Sequence, residues 1–179
     1  MTPAPANQMV PLMIMSLWTG AATMKDDASR VPPPKLQIVQ KAAMEACDAN
    51  DGVKDGIINH PPACSFDPGV LQCQAGEAAD CLTVPQVAAI RAVYAGPKNP
   101  RTGRQIYPGL SVGSEAQMAA LTTGQEPFPV ATTFFKGPVF DNPDWNFRSF
   151  DYDRDTQRAL RYGSNALDIP PDGLDRFFK

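Results

Sequence analysis

Apolar positions along the chain fall into a few short runs divided by long segments rich in proline and glycine. Met9 to Trp18 is almost continuously apolar, with Pro11 inside the run. After Pro32-Pro33-Pro34, the residues Leu36, Val39, Ala42, Ala43 and Ala46 recur at spacings of three and four. That period predicts a helix over 35–46 with one apolar face. A second helix is predicted over 84–94, with Val87, Ala88, Ile90 and Val93 on the repeat. Thr83 is its N-cap, Gln86 completes a Thr-x-x-Gln capping box, and Gly96-Pro97 stops it. Residues 61–80 read as a loop. Residues 99–113, with Gly103 between Arg101 and Arg104, predict a short hairpin. From Glu126 onward the apolar residues are mostly aromatic: Phe128, Phe134, Phe135, Phe140, Trp145, Phe147, Phe150 and Tyr152. The sum predicts an α+β class, loop-rich and helix-led, with short strands.

Composition narrows this picture. The 179 residues suit one domain with a real core, and the 19 prolines favour short elements joined by long loops. A net charge of −3 with scattered Lys and Arg leaves no footprint for nucleic acid. No apolar run reaches 18 residues, so no membrane helix is predicted. The run at Met9 lacks the basic flank of a signal peptide.

The richest chemistry lies in Cys47-Asp48-Ala49-Asn50-Asp51-Gly52-Val53-Lys54-Asp55-Gly56-Ile57-Ile58. Asp48, Asp51 and Asp55 stand three and four residues apart, and each Asp-Gly pair allows a sharp turn. A loop bent this way can gather carboxylates, with the carbonyls of Val53 and Ile57 completing a cage of hard oxygens suited to calcium. The spacing is not that of an EF-hand. The competing reading is two tight turns without a metal. Four cysteines, Cys47, Cys64, Cys73 and Cys81, allow three pairings. None forms a C-x-x-C pair, which argues against zinc. Paired, they place the chain in an oxidising compartment; the alternative is four buried thiols.

These residues also carry a likeness. Cys47-Asp48, Asp51-Gly52-Val53 and Asp55-Gly56-Ile57 are followed by Pro61, Cys64, Phe66-Asp67-Pro68, Leu71, Cys73, Cys81-Leu82-Thr83 and Gln86. Then come Tyr94-Ala95-Gly96-Pro97, Gly103, Tyr107-Pro108-Gly109, Gly113-Ser114-Glu115 and Phe140-Asp141-Asn142-Pro143-Asp144-Trp145. The set resembles the tannase and feruloyl esterase family of serine hydrolases, which also includes the hydrolase of the PET monoester. The resemblance covers nearly the whole chain and implies a lid domain inserted in an α/β-hydrolase core. It implies that residues 1–30 are a core or hinge segment and 31–179 the lid, with Met9–Trp18 a helix that packs on the core and is sticky without it. It implies calcium held by Asp48, Asp51 and Asp55 and the carbonyls of Val53 and Ile57. The implied disulfides are Cys47–Cys64 and Cys73–Cys81. Secretion or a periplasmic location follows, as does action of the whole enzyme on esters of aromatic acids. Phe134 and Phe135 are the residues expected to line the acyl pocket under the lid.

Catalytic machinery is not legible in the chain itself. Gly109-Leu110-Ser111-Val112-Gly113 matches G-x-S-x-G, but no apolar strand precedes the serine, and the one histidine, His60, comes before it rather than after. The family's nucleophile motif, Cys-Ser with a Gly-Gly pair, does not occur, and its aspartate and histidine are expected downstream of Lys179. The chain alone is therefore expected to be inactive, its catalytic partner being the α/β-hydrolase core of the same enzyme. Asp151, Asp153 and Asp155 alternate but read as a solvated face. Two other functions compete: a small secreted calcium-stabilised binding module, and a small esterase using Ser111.

Overall fold

The run at Met9 forms a 15-residue helix, α1 (Met9–Thr23), against which four later helices pack. The structure is a computed structural model describing residues 9–122 and 124–166. The segments Ala4–Asn7 and Leu174–Lys179 lie outside the described residues. Pro11 does not break α1, because amide groups of a first helical turn have no partner to lose. Val10, Ile14, Leu17, Thr19 and Thr23 are all but fully buried. What buries them is this chain itself: α1 packs on α3 (Val84–Ala95), α4 (Glu115–Thr122), α5 (Pro129–Phe134) and α6 (Arg154–Ala166). Residues 9–30 thus supply the axis of the packing, and α1 leaves only Met9 and Leu12 exposed.

Two apolar clusters flank that axis. One joins Val10, Met13, Ile14 and Leu17 to the aromatic residues. Phe135, fully buried, meets Phe134 and Phe150 edge to face with centroids 5.2 and 5.1 Å apart, and Phe140 stacks on Trp145 at 4.9 Å. The chain bends through this cluster in a π-helical turn, Phe135–Val139, where Pro138 cannot continue α5. The other cluster joins Leu36 and Val39 of α2 (Pro33–Cys47) to Leu82, Val87, Ile90, Val93 and Met118. Trp18 links the two halves, its indole N–H donating to Ala92 O at 2.7 Å.

Helices α2 and α3 lie where periodicity puts them. Both bonds of the capping box form: Gln86 N to Thr83 Oγ1 at 3.4 Å and Thr83 N to Gln86 Oε1 at 3.0 Å. The expected strands reduce, among the described residues, to two isolated bridges, Gln72 with Leu82 and Lys98 with Gln105. The second sits on the predicted hairpin, which closes as a tight turn with Asn99 N donating to Arg104 O at 2.9 Å. The α+β expectation is therefore corrected to a mainly helical fold. Proline within these spans removes ladder donors and glycine adds no side chain to pack, so pairing stops at single bridges.

Candidate functional site

The Asp-rich loop begins where α2 ends. Cys47 closes that helix and is bridged to Cys64, with 5.5 Å between Cα atoms. Asp48–Asp51 makes one 3₁₀ turn, stopped by Gly52 in the left-handed region at φ 92°; Gly56 follows at φ 80°. Asp48 is buried, and its Oδ1 accepts amide N–H groups from Asp55 (3.3 Å), Gly56 (3.0 Å) and Ile57 (3.1 Å). Asp51 accepts from Val53 N at 2.9 Å and from the Asn59 side chain, which holds its pKa below the usual carboxylate range. Asp55 Oδ1 accepts from Ile57 N at 3.1 Å. Val53 and Ile57 are exposed.

The five predicted ligands therefore share one short loop, with the three carboxylates serving its own amides. Among the described residues, no three Asp, Glu, His or Cys side chains converge on one point as a metal group. The donor chemistry nonetheless fits a hard cation. Every candidate atom is oxygen, and both cysteines are locked in disulfides and cannot supply thiolate. His60 is exposed.

Cys73 and Cys81 form the second bridge, with 5.1 Å between Cα atoms, beside the Gln72–Leu82 contact. Both disulfides follow the pairing that the resemblance implies. The loop between Cys73 and Cys81 is tied to α2 by the buried Lys35, whose Nζ reaches Glu77 Oε1 at 2.9 Å and Gln86 Oε1 at 3.1 Å.

Phe134 and Phe135, expected in an acyl pocket, are buried among rings of the aromatic cluster. The exposed aromatics nearby are Phe128 and Tyr162, the latter edge to face with Phe134 at 5.7 Å. Ser111 lies in an exposed irregular segment with no strand before it, and no hydrogen bond joins it to His60. Gly109 is there for packing: a Cβ would fall 2.0 Å from Tyr94 O. The three alternating aspartates each have a structural task. Asp151 accepts from Asp153 N and Arg154 N at the start of α6, Asp155 is buried and accepts from Asp151 N, and Asp153 pairs with Arg101 at 2.6 Å.

Glu115 was visible in the sequence only as the end of Gly113-Ser114-Glu115. It is fully buried. Its Oε1 accepts from Tyr94 Oη at 2.5 Å and Gly113 N at 2.8 Å, while Oε2 has no partner among the described residues. Burial, reinforced by this carboxylate, pushes the Tyr94 phenol well above its usual pKa, so it stays a donor. The pair pins the 109–114 segment to α3.

Comparison with known proteins decides the family. The family model for tannase and feruloyl esterase matches residues 1–146. The chain belongs to the tannase and feruloyl esterase family. It is 36% identical over 169 residues to an uncharacterised esterase of Xanthomonas campestris pv. campestris, covering 88% of this chain and 29% of that protein. It is 32% identical over 180 residues to a probable feruloyl esterase B of Aspergillus clavatus, covering 97% of this chain and 32% of the relative. The crystal structure of an esterase from Aspergillus oryzae superposes with a TM-score of 0.81 at 28% identity, over 92% of this chain and 32% of that one. The chain thus spans about 30% of the length of the curated relatives it matches. As a tannase and feruloyl esterase family chain, it is an esterase-related domain with two disulfides. No helix among the described residues is long and apolar enough to cross a membrane.

Proposed function

We propose that this chain is the lid domain of a secreted or periplasmic serine carboxylic-ester hydrolase acting on esters of aromatic acids, of the feruloyl or galloyl type. The observation that carries this reading is the pairing of family membership with length. The matched region is about 30% of each relative, yet it closes its own hydrophobic core around α1. Ser111 and His60 lie apart from any triad geometry, so the nucleophile, base and acid belong to the rest of the polypeptide. The hydrolysis would be a two-step acyl transfer: serine attacks the ester, the alcohol leaves, and water releases the acid. The lid's share is to cover the acyl group and exclude water at the reacting centre.

Calcium is part of the same proposal. The carboxylates of Asp48, Asp51 and Asp55, with the carbonyls of Val53 and Ile57, would hold it. It would supply no step of the reaction; bound there it fixes the loop that follows α2. The test of the lid reading is ester hydrolysis by the full-length polypeptide against the 179-residue chain, with methyl ferulate and methyl gallate as probes. Hydrolysis by the former and none by the latter is expected. Hydrolysis by neither leaves a calcium-stabilised binding module, and hydrolysis by the short chain that is lost in Ser111→Ala would restore the small esterase.

A further inference from the structure

We propose that the cleft between the 99–104 turn, α6 and the first turn of α1 is a binding site for a small monocarboxylate with an apolar body. Its volume is about 330 Å³, at the lower end of the range that holds a small ligand. Residues far apart in sequence line it, so only the folded chain assembles it. Pro11 of α1, Ile106 and Leu160 of α6 form an apolar side. Arg101, Arg104 and Gln157 stand on the polar side. Among the described residues no acidic side chain lines the cleft. The site stands apart from the ester-hydrolase reading, although the acid that such an enzyme releases is one member of the ligand class.

The polar side is held in place from behind. Gly103, at φ 69°, donates its N–H to Asn99 O at 2.9 Å, and Asn99 Oδ1 accepts from Arg101 N at 3.0 Å and Thr102 N at 2.9 Å. Asp153 sits behind the lining. It accepts from Arg101 Nε at 2.6 Å and Nη2 at 3.1 Å, from Asn99 Nδ2 at 2.7 Å and from Gln157 Nε2 at 3.2 Å. That carboxylate is fully occupied, and it neutralises Arg101. Gln105 Nε2 is spent on the carbonyls of Ala95, Pro97 and Tyr107. Arg104 is left over: its exposed guanidinium has no partner among the described residues. The cleft thus carries an excess of one positive charge, on a planar fork that matches a carboxylate. A doubly charged phosphate would leave a charge unmatched, and a wholly polar anion would leave the apolar side unused. A ligand with one carboxylate and an apolar body meets both sides: the body covers the half-buried Ile106 and Leu160 while the carboxylate pairs with Arg104.

The test is phenylglyoxal modification of arginines in the full-length polypeptide, read residue by residue by peptide mass spectrometry. The probe is 3-phenylpropionate, and its neutral counterpart is 3-phenylpropanamide. Arg91, exposed on α3 and outside the cleft, is the internal control. Saturating 3-phenylpropionate should slow modification of Arg104 about tenfold and leave Arg91 unchanged, and the amide should affect neither. Gln157→Glu, at an exposed position of the lining, adds a competing carboxylate and should weaken the protection severalfold. Equal protection by the amide would show that the cleft does not read charge. Equal protection of Arg91 would show that the probe acts at no one place, and unchanged protection in Gln157→Glu would put it elsewhere. No protection, or an Arg104 that is unreactive without the probe because the rest of the polypeptide covers it, would leave no site. Each of these overturns the proposal and leaves the lid reading standing. A full-length polypeptide that protects Arg104 but hydrolyses no ester would remove the lid reading alone.

Discussion

Residues 48–82 contain no helix longer than four residues, and only Asp48, Pro68 and Leu82 among them are buried. Residues 9–24 form one helix with its cap and bury most of their side chains. The first segment is held by two disulfides, by hydrogen bonds from backbone amides to Asp48 and by the ion pairs Lys35–Glu77 and Arg91–Asp67. The second is held by apolar burial. A segment that cannot bury enough apolar surface to offset its conformational entropy needs cross-links or a ligand. The two should therefore respond to different insults. The largest response should come from the aromatic cluster. Phe135→Ala removes a fully buried ring that touches Phe134, Phe140, Trp145 and Phe150. The expected loss is about 3–5 kcal/mol, read by urea denaturation, with the circular dichroism of the helices melting at lower urea. A loss below about 1 kcal/mol would mean that the centre of the molecule lies elsewhere.

Cutting a cross-link should be smaller and more local. Replacing Cys47 and Cys64 by serine frees a span of 17 residues, and chain entropy sets the cost at about 3 kcal/mol; the span of 8 between Cys73 and Cys81 costs about 2.5 kcal/mol. Native-state hydrogen exchange locates the damage. Amides of 49–63 should open while those of α1 keep their protection. Equal loss in both places would erase the distinction between the two regions.

Calcium sharpens the same contrast. At a free concentration about 100 times its Kd, a bound ion adds about 2.7 kcal/mol. A chelator should lower the melting temperature of the oxidised chain, and mass spectrometry should find about one calcium per chain. Two variants separate metal from hydrogen bonding. Asp48→Ala should weaken the chain with or without calcium, because three amides lose their acceptor. Asp55→Ala, at an exposed carboxylate that accepts only from Ile57 N, should cost little without calcium and much more when calcium is present. No response to the chelator, and no calcium, would leave the loop as two tight turns around Asp48.

The same contrast explains what could be read in the sequence. Helices α2 and α3 were legible because each buries one face and carries its own stop or cap; Thr83 and Gln86 declared theirs outright. The central place of α1 was not legible. A helix apolar on all sides has no pattern to show which neighbours cover it, and it reads equally as a segment that docks elsewhere. α6 escaped notice because the residues it buries, Asp155, Thr156 and Ala159, are small or polar. Within the candidate site, spacing placed Asp48, Asp51 and Asp55 in one loop. It could not show that Asp48 turns inward to its amides, or that Glu115 is buried against Tyr94. Phe134 and Phe135 were singled out as aromatic, but burial depends on the π-helical turn that follows them, which Gly137-Pro138 only hints at.

The smallest effect joins the two regions. Asp67 of the disulfide-held segment accepts from Arg91 of α3, Nε at 2.9 Å and Nη2 at 2.7 Å. That fork, with the Gly69 amide, lowers the Asp67 pKa from 3.8 to about 2. A folded-state pKa below the unfolded one adds stability that is complete above the unfolded value and is lost as pH falls through the folded one. The pair is exposed, so solvent screens it and the gain is modest. Arg91→Ala should therefore melt slightly below the parent chain at pH 5 to 7, with the gap narrowing below pH 3.8 and closing near pH 2. Added salt should shrink the gap at neutral pH as well. A gap that stays constant down to pH 2 would assign the loss to the packing of the guanidinium against Gly69, whose place for a Cβ lies 2.5 Å from Arg91 Nη2, and the loop would then be joined to α3 by contact rather than by charge.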